Sequence, residues 1–231
     1  MREIAIGGPG VPPGVRFTPV GIDDGPLTDH APRPRTGVLC LAGSSGRVDA
    51  DRARLVAGLG AVTESIQWFG GPGQQPAPFE VPLELFQHRI EALARECDRI
   101  VVVGTSFGAE AALVVASHTP TVDAVIAFAP TDVVWAGVRP DGSQTSHWTR
   151  GGIPLPFVPF DEEWQPDTDP PQFVEQYRRS RAASITRTVA AHIDVTRTRE
   201  IVVVGGGDDR VWPSVEAARR NSHLIDPGHR I

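Results

Sequence analysis

The sequence predicts an α/β fold: a mostly parallel central sheet with helices on both faces. Three observations carry that expectation. Short runs of β-forming apolar residues alternate with amphipathic helical stretches along most of the chain. Residues 100–112, IVVVGTSFGAEAA, pass directly from an apolar run through a tight turn into an Ala-rich helical pattern. The 231 residues, 40% hydrophobic and 22% charged, suffice for one compact α/β domain spanning 1–231.

The elements follow in order. Residues 1–36 are rich in Pro and Gly, with β-like pieces at Ile4–Ile6 and Val15–Phe17, and read as an edge hairpin. Gly37–Leu41 reads as a strand, Asp49–Leu59 as a helix with an acidic first turn, and Ala61–Phe69 as a strand. Pro82 introduces an amphipathic helix over Leu83–Cys97. Strand 100–104, helix 107–118 and strand Val122–Phe128 complete the first rhythm. The pattern then breaks. Ala129–Pro171 holds many of the prolines and the aromatics Trp135, Trp148, Phe157, Phe160 and Trp164. A stretch this long with little periodicity reads as a lid-like insertion, about 129–190, closed by a helical segment from Pro171 to Val189. Strand Glu200–Val204, helix Pro213–Arg220 and a short strand near Leu224 resume the alternation.

Composition excludes several chemistries. All the basic residues are arginine, so Schiff-base catalysis, a Walker lysine and a lysine general base have no side chain to use. A formal charge of −6 argues against nucleic acid as the main partner. The two cysteines, Cys40 and Cys97, lie in apolar or helical patterns and read as reduced core thiols. No segment approaches the ~18 apolar residues of a membrane span, and MREIAIGGPG has no secretory apolar stretch. A cytoplasmic protein with no membrane partner is expected.

Gly104-Thr105-Ser106-Phe107-Gly108 sits where a strand turns into a helix, the setting a GxSxG nucleophile elbow requires. Flanking glycines leave room for the turn, and the helix N-terminus favours a developing anion. A serine hydroxyl needs a base and an acid to orient it. Asp209 is the acid the spacing favours, because Gly206–Pro213 (GGDDRVWP) puts it at the turn crest after a late strand; Asp208 competes and Asp132 is a weaker third. Loop acids of this kind also cap helices, a role compatible with catalysis. His229, in a Pro-Gly-His turn, is the candidate base. His223 reads as a surface residue, His192 as exposed, and His147 as a lid residue with a structural role ahead of a substrate contact. The amide of Phe107 and that of Ser44, favoured over Ser45 in the AGSSG turn at 42–46, are the candidate oxyanion donors. Arg178, Arg179 and Arg181 could meet phosphates of a carrier, although such a run is more often a solvated helix face.

With these motifs in hand, the chain resembles the C-terminal domain of the bile-acid-CoA:amino acid N-acyltransferase and acyl-CoA thioesterase family, within the dienelactone-hydrolase-like α/β hydrolases. The resemblance runs from about residue 37. It rests on AGSSG (42–46), WFGGPGQ (68–74), VPLELF (81–86), GTSFGAEAAL (104–113), FAPTDVVW (128–135), SHW with GGIPLPFVP (146–159) and GGDDRVWPS (206–214). It implies an α/β-hydrolase fold and an acyl-enzyme on Ser106, with His229 as base and Asp209 as orienting acid, and with neither cofactor nor metal. The implied substrate is a small-molecule acyl ester or thioester, CoA- or carrier-linked. Serine in place of cysteine at the nucleophile leans toward hydrolysis. The interval from acid turn to histidine is shorter than the family's. That keeps two alternatives open: a catalytically degenerate ligand-binding protein on the same scaffold, and acyl transfer to an amine.

Overall fold

The computed structural model describes residues 1–19 and 35–223, apart from the side chain of His223. The chain opens with a hairpin of β1 (Arg2–Gly8) and β2 (Val11–Thr18). β3 (Thr36–Leu41), α1 (Ala50–Ala57) and β4 (Val62–Ile66) follow. Next come β5 (Val81–Pro82), α2 (Leu83–Ala94), β6 (Arg99–Thr105), α3 (Phe107–His118) and β7 (Ala124–Phe128). The insertion supplies β8 (Ala136–Val138), β9 (Gln144–Ser146), β10 (Trp148–Arg150) and β11 (Ile153–Pro154), then α4 (Val174–Ala183) and α5 (Ile185–Ala190). β12 (Glu200–Val204) and α6 (Ser214–His223) end the described chain.

Seven strands form the main sheet in the order β1-β2-β4-β3-β6-β7-β12. The five from β4 to β12 are mutually parallel, and the hairpin joins antiparallel through β2 and β4. From β3 the chain first adds β4 on one side, then crosses to place β6 on the other. The strand order therefore reverses between β3 and β6, and the crevice above their carboxyl ends is where ligands bind in open α/β sheets.

Alternation along each strand feeds both faces. Leu39, Leu41, Ile100, Val102, Val125 and Ala127 point into one core with α2 and α3. Val38, Cys40, Val101, Val103 and Ala124 point the other way, toward Ala53 and Ala57 of α1. α2 buries Leu83, Phe86, Ile90 and Leu93, a stripe at helical spacing. It is also tied to the sheet by Arg89, whose guanidinium grips the fully buried Glu64 of β4 through bonds of 2.8 and 2.7 Å. α3 is buried on nearly every side, from Gly108 to Ala116, which its small residues permit. α1 starts at Asp49, whose carboxylate accepts from the amide of Arg52.

One sequence expectation changes here. The segment Pro171–Val189 is two helices, because Ser184 leaves helical geometry at φ −129°, ψ 53° and its carbonyl starts α5 through Thr188. The insertion buries Trp135 and Trp148 in the main core. It carries a β8–β9 hairpin, and β10 pairs with both β11 and β5. The expected strand near Leu224 lies outside the described residues. No described helix is long and apolar enough to cross a membrane.

Candidate active site

β6 delivers Ser106 to the carboxyl edge of the sheet, and α3 begins on the next residue. Ser106 sits at φ 57°, ψ −122°, a conformation that is costly for a non-glycine residue and persists only where the surroundings impose it. The surroundings do so through contact. A Cβ on Gly104 would lie 1.9 Å from the carbonyl oxygen of Gly108, and one on Gly108 would lie 2.4 Å from that of Ala42. Both glycines are sterically required, and strand, turn and helix lock together. The amide of Ser106 donates to the carbonyl of Phe128 at 2.9 Å, fixing the elbow to β7.

The turn after β3 stands against the serine. A Cβ on Gly43 would approach the Thr105 carbonyl at 3.0 Å and the Ser106 Oγ at 3.8 Å. The amide of Gly46 closes this turn onto the carbonyl of Gly43 at 3.0 Å, leaving Ser44 and Ser45 exposed at its crest. The amide of Trp68 in turn donates to the carbonyl of Gly46 at 3.0 Å, so the 68–74 motif braces the turn from behind. The Ser106 side chain does not cap α3, and the first amides of a helix have no partner within it. The elbow therefore offers a hydroxyl beside the Phe107 amide, with the Ser44 turn alongside. Arg52 of α1 donates to Thr105 Oγ1, and its guanidinium lies 5.9 Å from the Phe128 ring centre.

Asp209 occupies the turn between β12 and α6. One carboxylate oxygen accepts from the amides of Val211 at 3.0 Å and Trp212 at 3.2 Å, which holds the side chain in a defined orientation. Asp208 is exposed. Trp212 links the acid turn to the elbow: its indole donates to the Ala129 carbonyl at 3.1 Å, and its ring centre lies 5.8 Å from that of Phe107. The third acid, Asp132, is committed elsewhere. It is buried, with Arg181 gripping both its oxygens at 3.0 and 2.7 Å and Arg220 adding a bond of 2.8 Å. It clamps α4 to α6.

The arginine run is committed as well. Arg178 pairs with Glu216 at 2.7 Å, Arg179 with Asp161 at 3.1 Å and Arg181 with Asp132. These are ion pairs between elements, which is why the run reads as basic in sequence and is balanced in space. His229 lies outside the described residues. Of the other histidines, His192 is exposed and His147 is buried, its Nδ1 3.0 Å from Glu110 Oε1. Glu110 was not singled out by sequence reasoning. Its signal was present nonetheless: a carboxylate in the first turn of a helix whose middle, Ala109–Ala116, is otherwise Ala, Leu and Val.

The thiol of Cys40 is pushed up to about 12, chiefly by burial and next by Asp49, with Arg52 acting in the opposite direction. Such a thiol is no nucleophile at neutral pH. Among the described residues no group of three or more His, Cys, Asp or Glu is placed to hold a metal ion.

A mostly parallel sheet, with a sharp strand-to-helix turn at Ser106 and a late-strand turn at Asp209 on the same edge, has the layout of the α/β-hydrolase fold. The chain belongs to the BAAT / acyl-CoA thioester hydrolase C-terminal family, whose model matches residues 81–228. The elbow and acid turn lie inside that span; the 42–46 turn and His229 fall outside it. No protein of curated function matches the sequence. A solved structure described with the metagenome-derived lipolytic enzymes LipS and LipT is similar at 18% identity and a TM-score of 0.37, covering 47% of this chain and 46% of that one. A hypothetical protein from Pseudomonas aeruginosa is similar at 18% identity and a TM-score of 0.41, covering 57% of this chain and 43% of that one. This chain spans less than half the length of either, and likenesses so distant carry no functional conclusion.

Proposed function

We propose that the protein is a serine hydrolase that cleaves a small acyl thioester or ester, CoA- or carrier-linked, through an acyl-enzyme on Ser106. The observation that supports this most directly is the strained conformation of Ser106 at the strand-order reversal, with the Gly43 turn against its hydroxyl. Family membership supports the thioester class.

In this reading the Ser106 Oγ attacks the acyl carbon while the His229 imidazole takes its proton. The amides of Phe107 and Ser44 hold the tetrahedral oxyanion. Collapse expels the thiolate or alkoxide, which receives the proton from the imidazolium. Water then enters, gives a proton to the same ring and releases the acid, and the proton returns to Ser106. Asp209 keeps the imidazole in the productive tautomer. Its second carboxylate oxygen serves that task, since the first is occupied by Val211 and Trp212.

The test is labelling with a fluorophosphonate probe beside hydrolysis of p-nitrophenyl and acyl-CoA esters. Ser106→Ala is expected to abolish labelling and to lower turnover by roughly six orders of magnitude, with the fold intact by circular dichroism. Asp209→Asn should lower kcat by roughly four orders of magnitude, while Asp208→Asn stays close to wild type. An active Ser106→Ala variant sinks the reading. A folded wild-type protein that resists the probe points instead to a ligand-binding scaffold.

A further inference from the structure

Glu110 is the only carboxylate of α3 and lies one turn beyond Ser106, whose carbonyl accepts its amide at 3.1 Å. The side chain is fully buried. One of its oxygens, Oε1, collects three donors: the Trp148 indole at 2.8 Å, His147 Nδ1 at 3.0 Å and the Trp135 amide at 3.1 Å. The other, Oε2, is buried without a hydrogen-bond partner among the described residues. For stability alone this is a poor arrangement, because a buried acceptor left unmatched is costly and an apolar residue would do better. What it does provide is orientation. A carboxylate on Nδ1 fixes both the ring plane and the nitrogen that carries the proton.

The ring so fixed abuts the elbow. The His147 imidazole meets the Phe107 ring edge-on, centres 4.4 Å apart at 80°. Trp212 approaches the same ring at 5.8 Å. Phe107 is held between a wall set by Glu110 and a wall set by the acid turn, and its amide is the one assigned above to the oxyanion. We propose that Glu110 and His147 are positioning residues. They hold Phe107, and through it the oxyanion amide, in register with Ser106. This rests on the serine-hydrolase reading.

Three variants separate the links. His147→Asn keeps an amide donor near the place of Nδ1 and removes the ring edge. Phe107→Leu removes the other partner of that contact and leaves the Glu110–His147 bond in place. Glu110→Gln keeps an acceptor and removes the charge. For each, kcat and KM for p-nitrophenyl butyrate, the rate constant of fluorophosphonate labelling and the melting temperature are measured. Loss of a whole oxyanion donor costs about 100- to 1,000-fold in kcat, so displacement should cost about 10-fold. That loss is expected in all three variants and in the labelling rate, with KM changed less than about threefold, and in His147→Asn and Phe107→Leu without a matching loss of folded protein. Wild-type kcat in any folded variant overturns the proposal, as does a loss of rate wholly explained by the folded fraction. An unlabelled wild type overturns this proposal together with the parent reading; a labelled wild type with unaffected variants overturns this one alone.

Discussion

The two faces of the main sheet are built very differently. On the α2–α3 face Trp68, Phe86 and Trp148 interlock at 5.4 to 6.0 Å, and Trp135, Tyr177 and Trp212 continue the cluster toward the acid turn. On the opposite face, among the described residues, α1 lies over a groove of about 920 Å³ lined by Val38, Val101, Val103, Ile126, Phe128 and neighbours on α1. Farther along that face Val202 and Val204 of β12 are each 43% exposed. The same strands serve both faces by alternation, so the difference comes from what packs on them. Most of the contacts around the elbow come from the filled face, with Arg52 of α1 reaching Thr105 from the other. Substitutions should accordingly cost much on one side and little on the other.

The sharpest way to break this contrast is Trp148→Ala. The side chain is fully buried, packs against the rings of Trp68, Phe86 and His147 and donates to Glu110, so its loss should destabilise by about 4 kcal/mol in denaturant melts. A cost under about 1 kcal/mol would mean that the filled face is not what holds the fold. Asp132→Ala comes next. It strands Arg181 and leaves Arg220 with only Glu216 at 3.9 Å, but both keep some access to water, and about 2 kcal/mol is expected. The Asp132→Asn variant should still react with the fluorophosphonate probe, since that carboxylate is a clamp; loss of labelling in a folded protein would reopen the choice of acid.

A pH titration sharpens the other side. Cys40, on the α1 face, has a folded-state value raised to about 12 against an ordinary 9.0. Between those values the unfolded chain releases a proton that the folded chain retains. The contribution is therefore complete below pH 9 and declines as pH rises, by about 1.4 kcal/mol at pH 10. The stability advantage of wild type over Cys40→Ala should shrink by that amount between pH 8 and 10. A constant difference would mean that the thiol is solvated. The smallest effect belongs to the partly exposed strand residues: Val202→Thr and Val204→Thr should each stay within about 0.5 kcal/mol. Costs near 2 kcal/mol would show the open face to be covered in solution.

Much of this was legible in the sequence because continuous apolar runs such as Ile201–Val204, and the glycine-flanked serine, carry strong local signals. The β5 and β8–β11 pieces were not legible, since strands of two or three residues cannot display a period. The break at Ser184 gave no Pro or Gly to mark it. The arginine run on α4 misleads for a different reason: Arg181 and Asp132 are 49 positions apart, and nothing local announces their meeting. Glu110 shows the converse, a residue whose oddity was visible while its partners, 25 to 38 positions away, were not. Local grammar exposed the glycine-flanked serine; only tertiary packing exposed the contacts around it.

The distortion at residue 106 resides in the main chain, imposed by Gly104 and Gly108, and the side chain takes no part in helix capping. That position therefore acts as a socket. A thiol substituted for the hydroxyl changes one atom and disturbs no backbone hydrogen bond. If the proposed acyl-enzyme forms, Ser106→Cys would turn it from an oxygen ester into a thioester, and so change which acceptor it reacts with while the scaffold keeps its shape.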